Sequence, residues 1–137
     1  MDPKYFGESD AEFSDCNRYR YRLWRRWADG PSVAFLMLNP STADAFKNDP
    51  TVERCHRRAV DMGFSALEVI NIFAFRATDP KDLKKAEAPV GPLNNNVITD
   101  TVQRADMTIC AWGSHGNHQN RDVEVRKLIK LSNKAPH

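Results

Sequence analysis

At 137 residues, 41% hydrophobic and 28% charged, the chain has the size and balance of one globular domain, which excludes a disordered or low-complexity protein. Its 20 basic and 18 acidic residues leave a formal net charge of +2, so overall charge does not by itself demand a nucleic-acid partner. Cys16, Cys55 and Cys110 are far apart and form no Cys-x-x-Cys, which reads as free thiols of a reducing compartment. The polar N-terminus does not read as a signal peptide and no apolar run has membrane length, so a cytoplasmic protein without membrane contact is expected.

Residues 1–16 are polar and aperiodic and are expected to form a loose N-terminal segment, with one α/β domain over 17–137. From Arg18 to Trp27 the residues alternate, Arg18, Arg20 and Arg22 against Tyr19, Tyr21 and Leu23, the period of a strand with one wet face. Asp29-Gly30-Pro31 marks a turn, and Val33–Leu38 is a continuous apolar run that fits a central strand covered on both faces. The two strands are expected to pair as an antiparallel hairpin. Asn39-Pro40 ends the second, and a polar loop leads to Asp49-Pro50, a capping residue followed by a first-turn proline. The helix so opened carries Val52, Cys55, Ala59 and Met62 on one face and stops at Gly63. Leu67–Phe73 reads as a strand, Asp79-Pro80 opens a short helix carrying Leu83, and Gly91-Pro92 starts a further helix. Met107–Trp112 reads as a third apolar strand and Arg121–Leu131 as a last helix.

This alternation of strands and helices predicts a three-layer α/β domain: a mainly parallel central sheet with flanking helices and an N-terminal antiparallel strand. In such sheets ligands bind beyond the carboxyl ends of the strands. The site is therefore expected in the loops Leu38–Thr42 and Asn71–Arg76. The chain stops at Ala135-Pro136-His137 directly after a helix, where such a fold would often add another strand.

Three segments resemble the uracil-DNA glycosylase superfamily: Met37-Leu38-Asn39-Pro40, Asn71–Thr78 followed by Lys81-Asp82-Leu83, and Ala111-Trp112-Gly113-Ser114-His115. The chain also resembles a bacterial and phage family of unknown function. The shared motifs are Leu38–Asp44 (Leu-Asn-Pro-Ser-Thr-Ala-Asp), Asn48–Thr51, Asn71–Pro80, Gly91-Pro92 and Trp112–Gly116. The glycosylase resemblance implies a uracil-DNA-glycosylase-like fold without its last strand and without the late histidine loop. It implies hydrolysis of an N-glycosidic bond to a nucleobase extruded from DNA or carried on a free nucleotide.

On that reading Asn39 orients water, Asp44 and His115 complete the catalytic group, and Asn71 reads a base edge with its donor and acceptor. Ser41, Thr42 and Arg76 hold phosphate, and Trp112 stacks on the base. Each has a structural rival. Asn39-Pro40 simply ends a strand, Asp44 is a solvated loop charge, Arg76 pairs with Asp79, and Trp112 is core. The cations Arg18, Arg20, Arg22, Arg25 and Arg26, interleaved with aromatics, suit a nucleic-acid backbone or an ordinary edge strand protected by charge. His115 and His118 have no cysteine or glutamate near them in sequence, so no metal and no cofactor is expected. Two further readings stand beside the hydrolase: a non-catalytic module that binds nucleic acid or a nucleotide, and a phage-type interaction module or inhibitor. The second would meet a protein partner or a second copy at an open sheet edge.

Overall fold

The computed structural model describes residues 8–131. Five strands, β1 (Glu8–Phe13), β2 (Arg20–Arg26), β3 (Ser32–Met37), β4 (Ala66–Asn71) and β5 (Met107–Cys110), form one sheet in the order β1-β2-β4-β3-β5. Four helices accompany it: α1 (Pro50–Asp61), α2 (Pro80–Lys85), α3 (Asn94–Arg104) and α4 (Arg121–Leu131). A 3₁₀ segment, Ser114–Asn120, links β5 to α4.

The sheet is mixed rather than mainly parallel. β1–β2 and β2–β4 are antiparallel, while β3–β4 and β3–β5 are parallel. The expected hairpin of β2 with β3 is not formed, because β4 lies between them. Every residue of β4 is buried, so both of its edges and both of its faces need cover. The junction is made at Ser65, whose carbonyl accepts from the amides of Trp27 and Ala28 and whose amide donates to Pro31. The N-terminal segment expected to be loose contributes β1, an edge strand that pairs with β2 over its whole length. The part of the chain expected to lack a final strand, residues 132–137, lies outside the described residues.

A bulge changes which arginines are wet. Glu12 pairs with Arg22 but Phe13 pairs with Arg20, leaving Tyr21 as an extra residue in β2. The alternation read from the sequence therefore fails. Arg20 is 2% exposed and Arg25 fully buried, both reaching toward the loop before α1, whereas Arg22 donates to Glu68, which also accepts from Arg104, on the opposite face.

The core has two halves. On one face α1 packs Val52, Cys55 and Ala59 against Leu23, Phe35, Leu67 and Val69. On the other, α3 and α4 bring Ile98, Val102, Val125 and Ile129 against Leu36, Ile70, Ile72 and Phe73. Each buried Val, Leu, Ile or Phe among them contributes about 1.5–3 kcal/mol by leaving water. Asp49 caps α1 by accepting from the Val52 amide, Pro50 fills its first turn, and Asp79 caps α2 in the same manner. The chain passes from β3 to β4 on one side and returns across β3 to β5 on the other, which places the topological switch beside β3. No helix among the described residues is long and apolar enough to cross a membrane.

Candidate functional site

The loops that leave β3 and β4 are zipped together, so the residues they carry are held rather than free. The amides of Ile72 and Phe73 donate to Met37 and Leu38, and that of Ala77 donates to Pro40. Asn39 completes the seam. Its Nδ2 donates to the carbonyls of Ala77 at 2.7 Å and Pro40 at 3.1 Å, with Phe75 O at 3.5 Å. Both amide hydrogens are thus engaged with backbone, and Oδ1 takes no hydrogen bond among the described residues. Beyond the seam, Arg76 N donates to Arg18 O at 2.8 Å, and Tyr19 forms a bridge with Phe75, which ties this stretch to the entry of β2.

These connections frame an open cavity of about 480 Å³ lined by Asn17, Arg18, Ser41, Phe75, Arg76, Ala77, Thr78 and Asp82. Arg76 is aimed by its surroundings. Nε donates to Ser41 O at 3.2 Å, Nη1 donates to Asn17 O at 3.1 Å, and the guanidinium carbon lies 4.9 Å from the Phe13 ring centre. Nη2 is left without a protein acceptor among the described residues. Arg18 is exposed, and its side chain makes no hydrogen bond or ion pair among the described residues. Ser41 and Thr78 share a hydroxyl hydrogen bond of 2.8 Å, so one hydroxyl hydrogen remains to be donated elsewhere. The cavity therefore presents two guanidinium groups, two hydroxyls, one aromatic ring and the carboxylate of Asp82.

The loop above α1 is a scaffold. Asp44 Oδ1 accepts from the amides of Phe46 at 2.9 Å and Lys47 at 2.8 Å. These donors hold its carboxyl below the ordinary range. Arg25 Nη2 donates to Asp44 O at 2.6 Å and to Asn48 Oδ1 at 3.1 Å, and Arg20 Nη1 donates to Ala43 O at 3.1 Å. Burial pulls the Arg20 guanidinium down to about 10, still protonated at neutral pH. Arg20 and Arg25 thus serve the loop from beneath, and Arg20 is not on the wet face that the alternation predicts for it. Arg22 is engaged with Glu12 and Glu68, and Arg26 with the carbonyls of Ala28 and Gly30. Of the five cations picked out in the sequence, Arg18 alone stands in the cavity.

Asn71 is 1% exposed at the end of β4, in register with Met37, and its Nδ2 has no partner among the described residues. Two residues not picked out in the sequence gather at its carbonyl end. Asn94 Nδ2 donates to Asn71 O and Ile72 O, and Arg121 Nε donates to Ile72 O at 2.6 Å. Their polar character was visible, but nothing in their spacing announced that they converge from α3 and α4. Trp112 packs on Gly116, where a Cβ would come within 2.3 Å of Trp112 Cδ1, so the close approach of backbone to ring requires glycine. Arg126 lies over that ring, 5.5 Å from its centre.

The sequence-derived residues are therefore brought together only in part. Asn39, Ser41 and Arg76 meet at the seam. Thr42 lies exposed on the same loop without lining the cavity, and Asp44 is turned into its own loop. His115 and Trp112 belong to the segment after β5, and no hydrogen bond or ring contact joins them to Asn39, Asp44 or Arg76 among the described residues. Asn17, Thr78 and Asp82 were missed. Thr78 and Asp82 lie inside motifs already noted, whereas Asn17 has a left-handed backbone (φ 60°) that only the structure reveals. No group of three metal-ligating side chains is assembled among the described residues.

Comparison with curated proteins and with solved structures returns no match. Nothing in these comparisons links the chain to the uracil-DNA glycosylases. A family model, described as a protein of unknown function (DUF1643), matches residues 20–137 and spans the sheet from β2 onward together with all four helices. The chain belongs to this family of proteins of unknown function, DUF1643.

Proposed function

We propose that the chain is a non-catalytic module that binds a phosphate-bearing nucleoside, as a free nucleotide or at the end of a single strand, in the cavity between Arg18, Ser41 and Arg76. The observation that carries this reading is the aimed but incompletely used Arg76 beside the unpaired Arg18. Two guanidinium groups and a free hydroxyl donor match the oxygens of a phosphate. Phe75 offers a face for a base, and Asp82 an acceptor for a sugar hydroxyl. The site is small, and four of the five cations of the β2 segment are engaged elsewhere, which favours a short ligand over a long polymer.

A second reading, hydrolysis of an N-glycosidic bond, rests on the unpartnered Oδ1 of Asn39, which can accept a hydrogen bond from water. An amide is no general base, however, and Asp44, the nearest carboxylate in sequence, is tied into its own loop. Titration with nucleoside mono-, di- and triphosphates and with short oligonucleotides checks the first reading. Saturable binding that weakens with salt and depends on Arg18 supports it, and no binding up to millimolar ligand overturns it. Release of uracil or thymine from oligonucleotides, lost in Asn39→Ala, would replace it with the second.

A further inference from the structure

The two edges of the sheet are chemically opposite. β1 exposes Glu8, Asp10 and Glu12, charge that repels an incoming strand. β5 reads Met-Thr-Ile-Cys, carries no charge, and has no strand on its outer edge among the described residues. Beside that edge, on the face shared with α1, lies a cavity of about 280 Å³. Phe35, Met37, Cys55 and Ile109 supply its apolar lining, and Arg54 and Arg58, both exposed and one helical turn apart, stand on its α1 side. Burial pushes the Cys55 thiol up to about 11, so this lining is uncharged at neutral pH.

We infer that β5 receives an extended segment of a partner protein as a sixth strand, an apolar side chain of that segment filling the cavity and flanking aspartate or glutamate residues meeting Arg54 and Arg58. Main-chain hydrogen bonds along the edge supply affinity and the alternate side chains supply selectivity. A second copy is the poorer occupant. Antiparallel pairing of two β5 edges places the twofold axis perpendicular to the sheet, so both α1 helices lie on one face with Arg54 and Arg58 of each copy turned toward the other pair. Like charges brought together there oppose the dimer, whereas an acidic strand neutralises them.

The test selects a displayed library of random ten-residue peptides against the full chain. The selected sequences are expected to alternate apolar residues with an excess of aspartate and glutamate. A synthetic consensus peptide should slow exchange of the outward-facing β5 amides, those of Thr108 and Cys110, since the Ala111 amide already donates to Leu36 O on the β3 side. Its Kd should rise about tenfold or more in the double variant Arg54→Glu/Arg58→Glu, equivalent to roughly 1.4 kcal/mol. Circular dichroism checks that the variant folds, and its affinity for nucleotide should stay as in the unaltered chain. The inference is overturned by peptides without acidic bias or blind to the double substitution. It is also overturned if the free monomer already protects those amides, or if the free chain is a dimer that does so.

Discussion

Two pairs of arginines behave in opposite ways. Arg20 and Arg25 lie in β2, are buried, and spend their guanidinium groups on carbonyls of the loop before α1. Arg18, two residues upstream, and Arg76, beyond β4, border an open cavity with donor capacity to spare. A buried guanidinium that satisfies backbone is structural, and one that is aimed yet under-used is available to a ligand. The difference shows that an arginine-rich strand is not by itself a nucleic-acid stripe. What decides is where each donor ends.

That contrast is sharpest at Arg25. Substitution Arg25→Met keeps the apolar stem but leaves the partly buried carbonyls of Asp10, Trp24 and Asp44 and Asn48 Oδ1 without these donors. The expected loss is about 3–4 kcal/mol, a fall in Tm of roughly 10 °C in a thermal melt. A stable Arg25→Met protein would break the assignment of this residue to the scaffold. Asn39→Ala removes the donors that close the seam and should cost about 2 kcal/mol, read by urea unfolding. It should also weaken ligand binding, because Ser41 and Arg76 are aligned across that seam.

Cys55 gives a pH test of the same core. Its thiol is raised from the ordinary value to about 11 by burial, so the folded state keeps a proton that the unfolded chain has lost. Stability from this group is whole below the unfolded value near 9 and is lost as pH rises to about 11. The decline should amount to roughly 2 kcal/mol and should shrink in Cys55→Val. Arg20 is expected to be the milder of the buried pair. Among the described residues only Nη1 has an acceptor and Nε has none, and burial is already unfavourable to the charge. Arg20→Met should therefore cost under about 1 kcal/mol, well below the cost at Arg25.

The parts of the fold legible in sequence are those set by local chemistry. Asp49-Pro50 and Asp79-Pro80 open helices as expected, and Val33–Met37 and Leu67–Asn71 form the buried strands their apolar runs announce. Pairing was not legible. β4 enters between β2 and β3 because a strand buried on both faces recruits two neighbours, a competition among distant segments that no short window contains. Nor was the side on which Arg20 lies, since one bulge residue, Tyr21, reverses the alternation. β1 was hidden for another reason: Glu8, Asp10 and Glu12 make it polar on the face where a core strand would be apolar. For the site, the motifs pointed to both loops that build the cavity, at Ser41 and Arg76. Their assignment of Asp44 to chemistry overlooked the amides of Phe46 and Lys47, which claim its carboxylate two and three residues on.

The most direct test of the account compares Arg18→Ala with the unaltered chain in two readouts, thermal stability and nucleotide affinity by calorimetry. The Arg18 side chain has no hydrogen-bond or ion-pair partner among the described residues, so Tm should stay within about 1 °C while Kd for a nucleoside phosphate rises about tenfold. An unchanged Kd, or a fall in Tm that accounts for the weaker binding, would contradict the claim that this cavity is a site for a phosphate-bearing ligand.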